Sequence, residues 1–137
     1  MQKIESFLAK FHNIDIAVLF LRLSIGGLML FHGFYKLQHG VSGIERLLSN
    51  ANLPHFLAYG VFIGEIIMPL FLLLGLWTRA AALIVSLTMM TAIYLAFGSK
   101  LWSITAQGGL SIELPFLFLI SSLVLVFIGG GKWSVIR

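Results

Sequence analysis

Three ionisable side chains interrupt runs of residues that are otherwise apolar. Arg22 lies in the first run, Glu65 near the middle of FLAYGVFIGEIIMPLFLLLGLW, and Glu113 at the start of the last. His32 and Lys36 follow near the end of the first run, four residues apart and therefore on one side of a helix. A charged group in hydrocarbon costs at least ~2.5 to 3.5 kcal/mol, so each needs a partner, a protein interior or a proton. A carboxylate beside a guanidinium or an imidazole can move protons or hold a carbonyl oxygen. With the first run starting at Ile14, Arg22 lies ~12 Å in at 1.5 Å per residue, and Glu65 lies ~16 Å in from the same side. Those depths predict an Arg22–Glu65 pair in the core. His32, Lys36 and Glu113 predict a second polar cluster at the opposite face, with His39 and His55 nearby. Each cluster also has a plain packing reading: a buried pair fastens one helix to another, and rim residues snorkel to the interface. Ligand site and helix fastener both stand open at this level.

The elements that must position these groups follow from composition. Of 137 residues, 59% are hydrophobic and 10% charged, against roughly 45–50% and 25% in a soluble domain. The apolar runs 14–35, 56–77, 80–98 and 112–129 are each near the ~20 residues that cross ~30 Å of hydrocarbon. The expected fold is an all-α integral membrane four-helix bundle, up-down-up-down and antiparallel, a single domain over 1–137. Residues 1–12, MQKIESFLAKFH, place Ile4, Phe7, Leu8 and Phe11 at helical spacing, the pattern of an amphipathic segment on the lipid bilayer surface. The first apolar run holds Arg22 and is followed by no small-x-small site, so it reads as a retained span rather than a signal peptide.

Four spans leave no room for a nucleotide-binding, extracellular catalytic or DNA-reading module. The net charge of +4 therefore suits anionic lipid and orientation signals, not nucleic acid. Without cysteine the chain has no thiol chemistry and no thiolate for an iron-sulfur cluster. His32 is the sole histidine inside a span, so one chain cannot offer the facing pair of a buried haem, and no metal-ligand spacing appears. Gly60 and Gly64 form a GxxxG, while Gly26 and Gly33 thin the first helix, and both patterns read as close helix packing. Pro69, four residues after Glu65, removes the N–H that would bond the Glu65 carbonyl. Lys3, Lys10, Arg79, Lys132 and Arg137 fall on one side, against Lys36, Arg46 and Lys100 on the other. The positive-inside rule then puts both termini in the cytoplasm.

Several stretches together resemble the DoxX family of small membrane proteins: Arg22 with LSIGGLMLFHGFYKL, then GEIIMPLFLLLGLWTRAAAL from Gly64 to Leu83, and Glu113 with the closing FIGGGKWSV. The resemblance spans nearly the whole chain and picks out Arg22, His32, Gly33, Lys36, Glu65, Gly75, Arg79 and Glu113. It implies a four-helix protein of the bacterial or archaeal cell (inner) membrane, related to a quinone-linked subunit of a thiosulfate-oxidising complex and to membrane partners of redox-defence proteins. The function expected on that basis is an oxidoreductase-associated subunit with quinone as the candidate cofactor, acting as a homo-oligomer or with a redox partner. A proton-coupled transporter or channel and a scaffold are the alternatives. The closing GGGKWSV departs from the family's G-x-G-x-x-S-hydrophobic-D form, with Ile136 and Arg137 in place of an acidic ending.

Overall fold

The computed structural model describes residues 1–9 and 13–136. Lys10, Phe11 and Arg137, used in the expectations above, lie outside those residues. A short helix α1 (Gln2–Leu8) precedes the long α2 (Ile14–His39). The Asn13 side chain accepts the Ile16 N–H at 3.1 Å, satisfying one of the free donors of the first turn of α2. α2 runs four residues beyond its expected end at 35, stopping at Gly40, whose φ of 81° a residue with a Cβ rarely adopts. A second short helix, α3 (Ser42–Asn50), buries Leu48 on its apolar side.

The next apolar run is a composite helix α4 (His55–Leu74): three-ten turns over His55–Gly60, a π segment Ile63–Ile67, and regular α-turns Met68–Leu74. Pro69 explains the middle piece. It has no N–H to give the Glu65 carbonyl, and the Met68 N–H reaches back to Ile63 O, widening the turn around Glu65. Gly75, at φ 71°, ends the helix. α5 (Thr78–Phe97) and α6 (Glu113–Ile128) complete the bundle. α2, α4 and α5 are long and apolar enough to cross a membrane, whereas α6 has 16 residues.

α2 packs on α4, α4 on α5, α5 on α6, and α6 returns to α2, so the four helices form a closed antiparallel ring. Val18, Ile25, Met29, Leu72, Ala82, Val85 and Leu125 fill its centre. The Ser86 and Ser122 hydroxyls meet there at 2.9 Å, so one can donate to the other while its partner donates to a carbonyl one turn back in its own helix, Ala82 O or Phe118 O. The molecule is an all-α membrane helical bundle, and among the described residues it contains no strand.

Glycines set the helix spacing at three points. A Cβ on Gly33 would stand 2.5 Å from Glu65 O, one on Gly26 2.8 Å from Pro69 O, and one on Gly64 2.7 Å from the Thr88 Cβ. Gly60 differs from its expected packing role: a Cβ there meets nothing within 4 Å. Gly33→Ala is expected to force α2 off the α4 backbone, which cannot yield as a flexible side chain can, and to cost about 1 to 3 kcal/mol. Gly60→Ala is expected to change stability by less than about 0.5 kcal/mol. Unfolding of the two variants in mixed detergent micelles measures the contrast.

Candidate functional site

Arg22 and Glu65 are nearly sealed, at 1% and 3% exposure, yet they belong to different centres. Arg22 Nε donates to Leu72 O at 2.9 Å and Nη2 to Leu73 O at 3.2 Å, the last carbonyls of α4. Its Nη1 reaches the segment after α6, donating to Gly130 O at 2.8 Å, Trp133 O at 3.2 Å and Ser134 Oγ at 3.3 Å. Gly75 leaves room for this guanidinium, since a Cβ there would lie 2.8 Å from the Arg22 Cζ. The cation thus rests on the negative end of a helix and holds the C-terminal segment against it. Arg79 does the same for α6, donating to Val126 O and Phe127 O at 2.8 Å each.

The expected Arg22–Glu65 pair is therefore not formed. Counting depth from Ile14 assumed that α2 begins level with the end of α4. Instead Gly33 lies opposite Glu65, Gly26 opposite Pro69, and Arg22 opposite Gly75. The first two turns of α2 extend past α4 and are covered by the C-terminal segment, where Lys132 N–H donates to Asp15 Oδ1 at 2.8 Å and Gly131 lies beside Val18.

Glu65 is paired with Lys36, whose Nζ donates to its Oε1. Lys36 starts three residues before the end of α2 and turns inward, its side chain 28% exposed against 4% for that of Glu65. The other carboxylate oxygen, Oε2, is buried with no hydrogen-bond partner. Both residues line a cavity of about 530 Å³ whose other walls include Val61, Thr88, Thr91 and Leu95, with Ile44 and Leu47 of α3 over it. The volume falls in the usual range for small-molecule sites, ~300 to 1,000 Å³. The hydroxyls of Thr88 and Thr91 return to carbonyls of their own helix, which leaves the Lys36–Glu65 pair as the cavity's charged end.

The second expected cluster is dispersed. His32 is exposed, its ring edge-on to Phe118 with centroids 6.0 Å apart. Glu113 Oε1 accepts the Leu110 N–H at 2.9 Å and so closes the start of its own helix. His39 stacks on Tyr35, and His55 meets Ser49. No hydrogen bond or ion pair among the described residues joins His32, Lys36 and Glu113, and no three metal-ligating side chains converge there. Sequence reasoning missed the contribution of α3 and the two threonines. Their apolar and β-branched character carries no signal distinct from ordinary packing.

Fold and inward-turned charges together define a multi-pass membrane helical bundle with a buried charged side chain toward each end, Arg22 at one and Glu65 at the other. The chain belongs to the DoxX family, whose profile matches residues 17–98. That range takes in Arg22, Lys36, Glu65 and Arg79 and stops short of Glu113 and the C-terminal partners of Arg22. Among curated proteins, "Putative oxidoreductase CatD" of Bacillus subtilis (strain 168) is 32% identical over 81 residues, covering 59% of this chain and 60% of that protein. The match thus spans less than two thirds of that relative's length. No solved structure matches the chain.

Proposed function

We propose that this protein is the membrane subunit of a redox system and that the Lys36–Glu65 cavity holds the polar head of an apolar, quinone-like molecule. The observation that carries this reading is the buried, unpartnered Oε2 of Glu65 in the wall of an otherwise apolar cavity. A polar atom so placed without a partner costs ~1 to 3 kcal/mol, more when charged, which a ligand hydroxyl would relieve. Lys36 has ammonium hydrogens beyond the one given to Glu65 and can donate to a ligand carbonyl. Glu65 can accept from the hydroxyl of the reduced form. The name of the Bacillus relative and the DoxX resemblance supply the redox context, with electrons coming from a partner oxidoreductase. With the two termini on the cytoplasmic side of the cell inner membrane, as the Lys and Arg distribution favours, the cavity opens in the outer half of the bilayer.

The test is the quinone content of protein purified in neutral detergent, compared with Ala92→Phe. Ala92 lines the cavity and has no polar side-chain atom, so the larger ring fills the space without removing either member of the pair. Bound quinone is expected to fall at least about tenfold, because occupied volume cannot be shared in a close-packed interior. Equal content in both proteins defeats the proposal. Proton flux in proteoliposomes that needs Glu65, in protein carrying no quinone, would establish the transporter reading instead.

A further inference from the structure

At the end of the bundle opposite that cavity, a cleft of about 850 Å³ opens between the start of α5 and the segment that follows α6. Its walls include Thr78, Arg79 and Ala80 on one side and Gly130, Gly131 and Lys132 on the other. The first backbone bond of α5 is made by Ala81 N–H to Trp77 O, and no side chain caps the helix. The N–H groups of Thr78, Arg79 and Ala80 therefore find no acceptor among the described residues, and they carry the positive end of a 20-residue helix. A second observation points the same way. Thr78 is 4% exposed, and its Oγ1, packed beside Gly130, has no hydrogen-bond partner. A buried hydroxyl left unpaired is a donor awaiting an acceptor.

We infer that this cleft is a binding site for a phosphate group. Free N–H donors at a helix start, a spare hydroxyl and backbone glycines that allow close approach, in a wall of net positive charge, match a tetrahedral anion with several acceptor oxygens. The cations in the wall are Arg79 and Lys132, and the anion is Asp15, whose Oδ1 is occupied by the Lys132 N–H. Arg79 spends its donors on carbonyls rather than on a carboxylate, so its charge is not cancelled by an acidic partner. Trp77, Ile128 and Ile136 add an apolar wall to the cleft, which suits the phosphate of a phospholipid headgroup. A free phosphate would use the same donors.

The experiment measures phosphatidylglycerol and phosphatidylcholine retained by the purified full chain in native mass spectra, for the unaltered protein, Thr78→Val, Thr78→Ser and Lys132→Gln. Thr78→Val keeps the shape and removes the hydroxyl. It is expected to lower phosphatidylglycerol retention roughly tenfold, while Thr78→Ser retains it. Lys132→Gln, in an exposed position, is expected to lower it roughly fivefold and serves if the valine variant does not fold. Inorganic phosphate added at millimolar concentration distinguishes the sources. If it binds and displaces the lipid, the site takes free phosphate; if lipid remains, the headgroup is the ligand. Retention that is the same in all four proteins, with no binding of inorganic phosphate, overturns the inference.

Discussion

Arg22→Met is expected to destabilise the protein by roughly 3 to 5 kcal/mol and to release the segment after α6 from the bundle. The guanidinium bonds five acceptors, and two of them, Leu72 O and Leu73 O, end a helix whose next residues turn away at Gly75. Methionine fills the volume and supplies no donor. Each carbonyl that loses its donor while still shielded costs ~1 to 3 kcal/mol; Leu72 O keeps the Gly75 N–H at 3.2 Å, so the loss falls mainly on Leu73 O and on the carbonyls of Gly130 and Trp133. Arg22→Lys is expected to recover less than half of the loss, because an ammonium has three donors and lacks the planar fork that spans α4 and the C-terminal segment. Unfolding in mixed micelles gives the energies. Limited proteolysis gives the mechanism: residues 130–136 become cleavable in Arg22→Met at temperatures where the bundle is still folded. A variant that stays within about 0.5 kcal/mol of the original, with that segment protected, would show that the carbonyl hub contributes nothing beyond packing.

The sequence carries the helices far better than their mutual offset. Apolar length alone places α2, α4 and α5 within a few residues, because hydrocarbon thickness imposes a length that composition reveals. What it does not carry is how far one helix slides along the next. That offset is set by Gly26 and Gly33 meeting the backbone of α4 at Pro69 and Glu65, a pairwise fit that no single helix encodes. An offset of about eight residues, ~12 Å, is enough to exchange every partner in the polar core. Glu65 passes from Arg22 to Lys36, and Arg22 passes to carbonyls, which have no sequence signature because every residue has one. Glu113 was misread for a related reason. Its place at a helix start, three residues after Leu110, admits a capping role within its own turn, and the nearer partner prevailed over the distant cluster. The π segment was partly legible: Pro69 marks the freed carbonyl, but not which way the extra residue turns Glu65.

Lys36 and Glu65 are expected to separate structure from binding when they are removed singly and together. Lys36→Met leaves a carboxylate at 3% exposure without its cation, and is expected to cost about 3 to 5 kcal/mol. Glu65→Gln leaves a lysine that is 28% exposed near the end of α2 and free to snorkel outward, so its cost is expected to be smaller, about 1 to 2 kcal/mol. The double change Lys36→Met with Glu65→Leu removes both charges and both desolvation penalties. It is expected to return to within about 1 kcal/mol of the original protein, since a buried ion pair contributes little net stability against an apolar pair of similar size. If the pair holds the head of a quinone as proposed, bound quinone is expected to be lost in all three, because that reading needs both the donor and the acceptor. A stable double variant that has lost its ligand identifies the pair as a binding site. A double variant as unstable as Lys36→Met identifies it as a fastener between α2 and α4, and one that keeps its quinone moves the ligand elsewhere in the bundle.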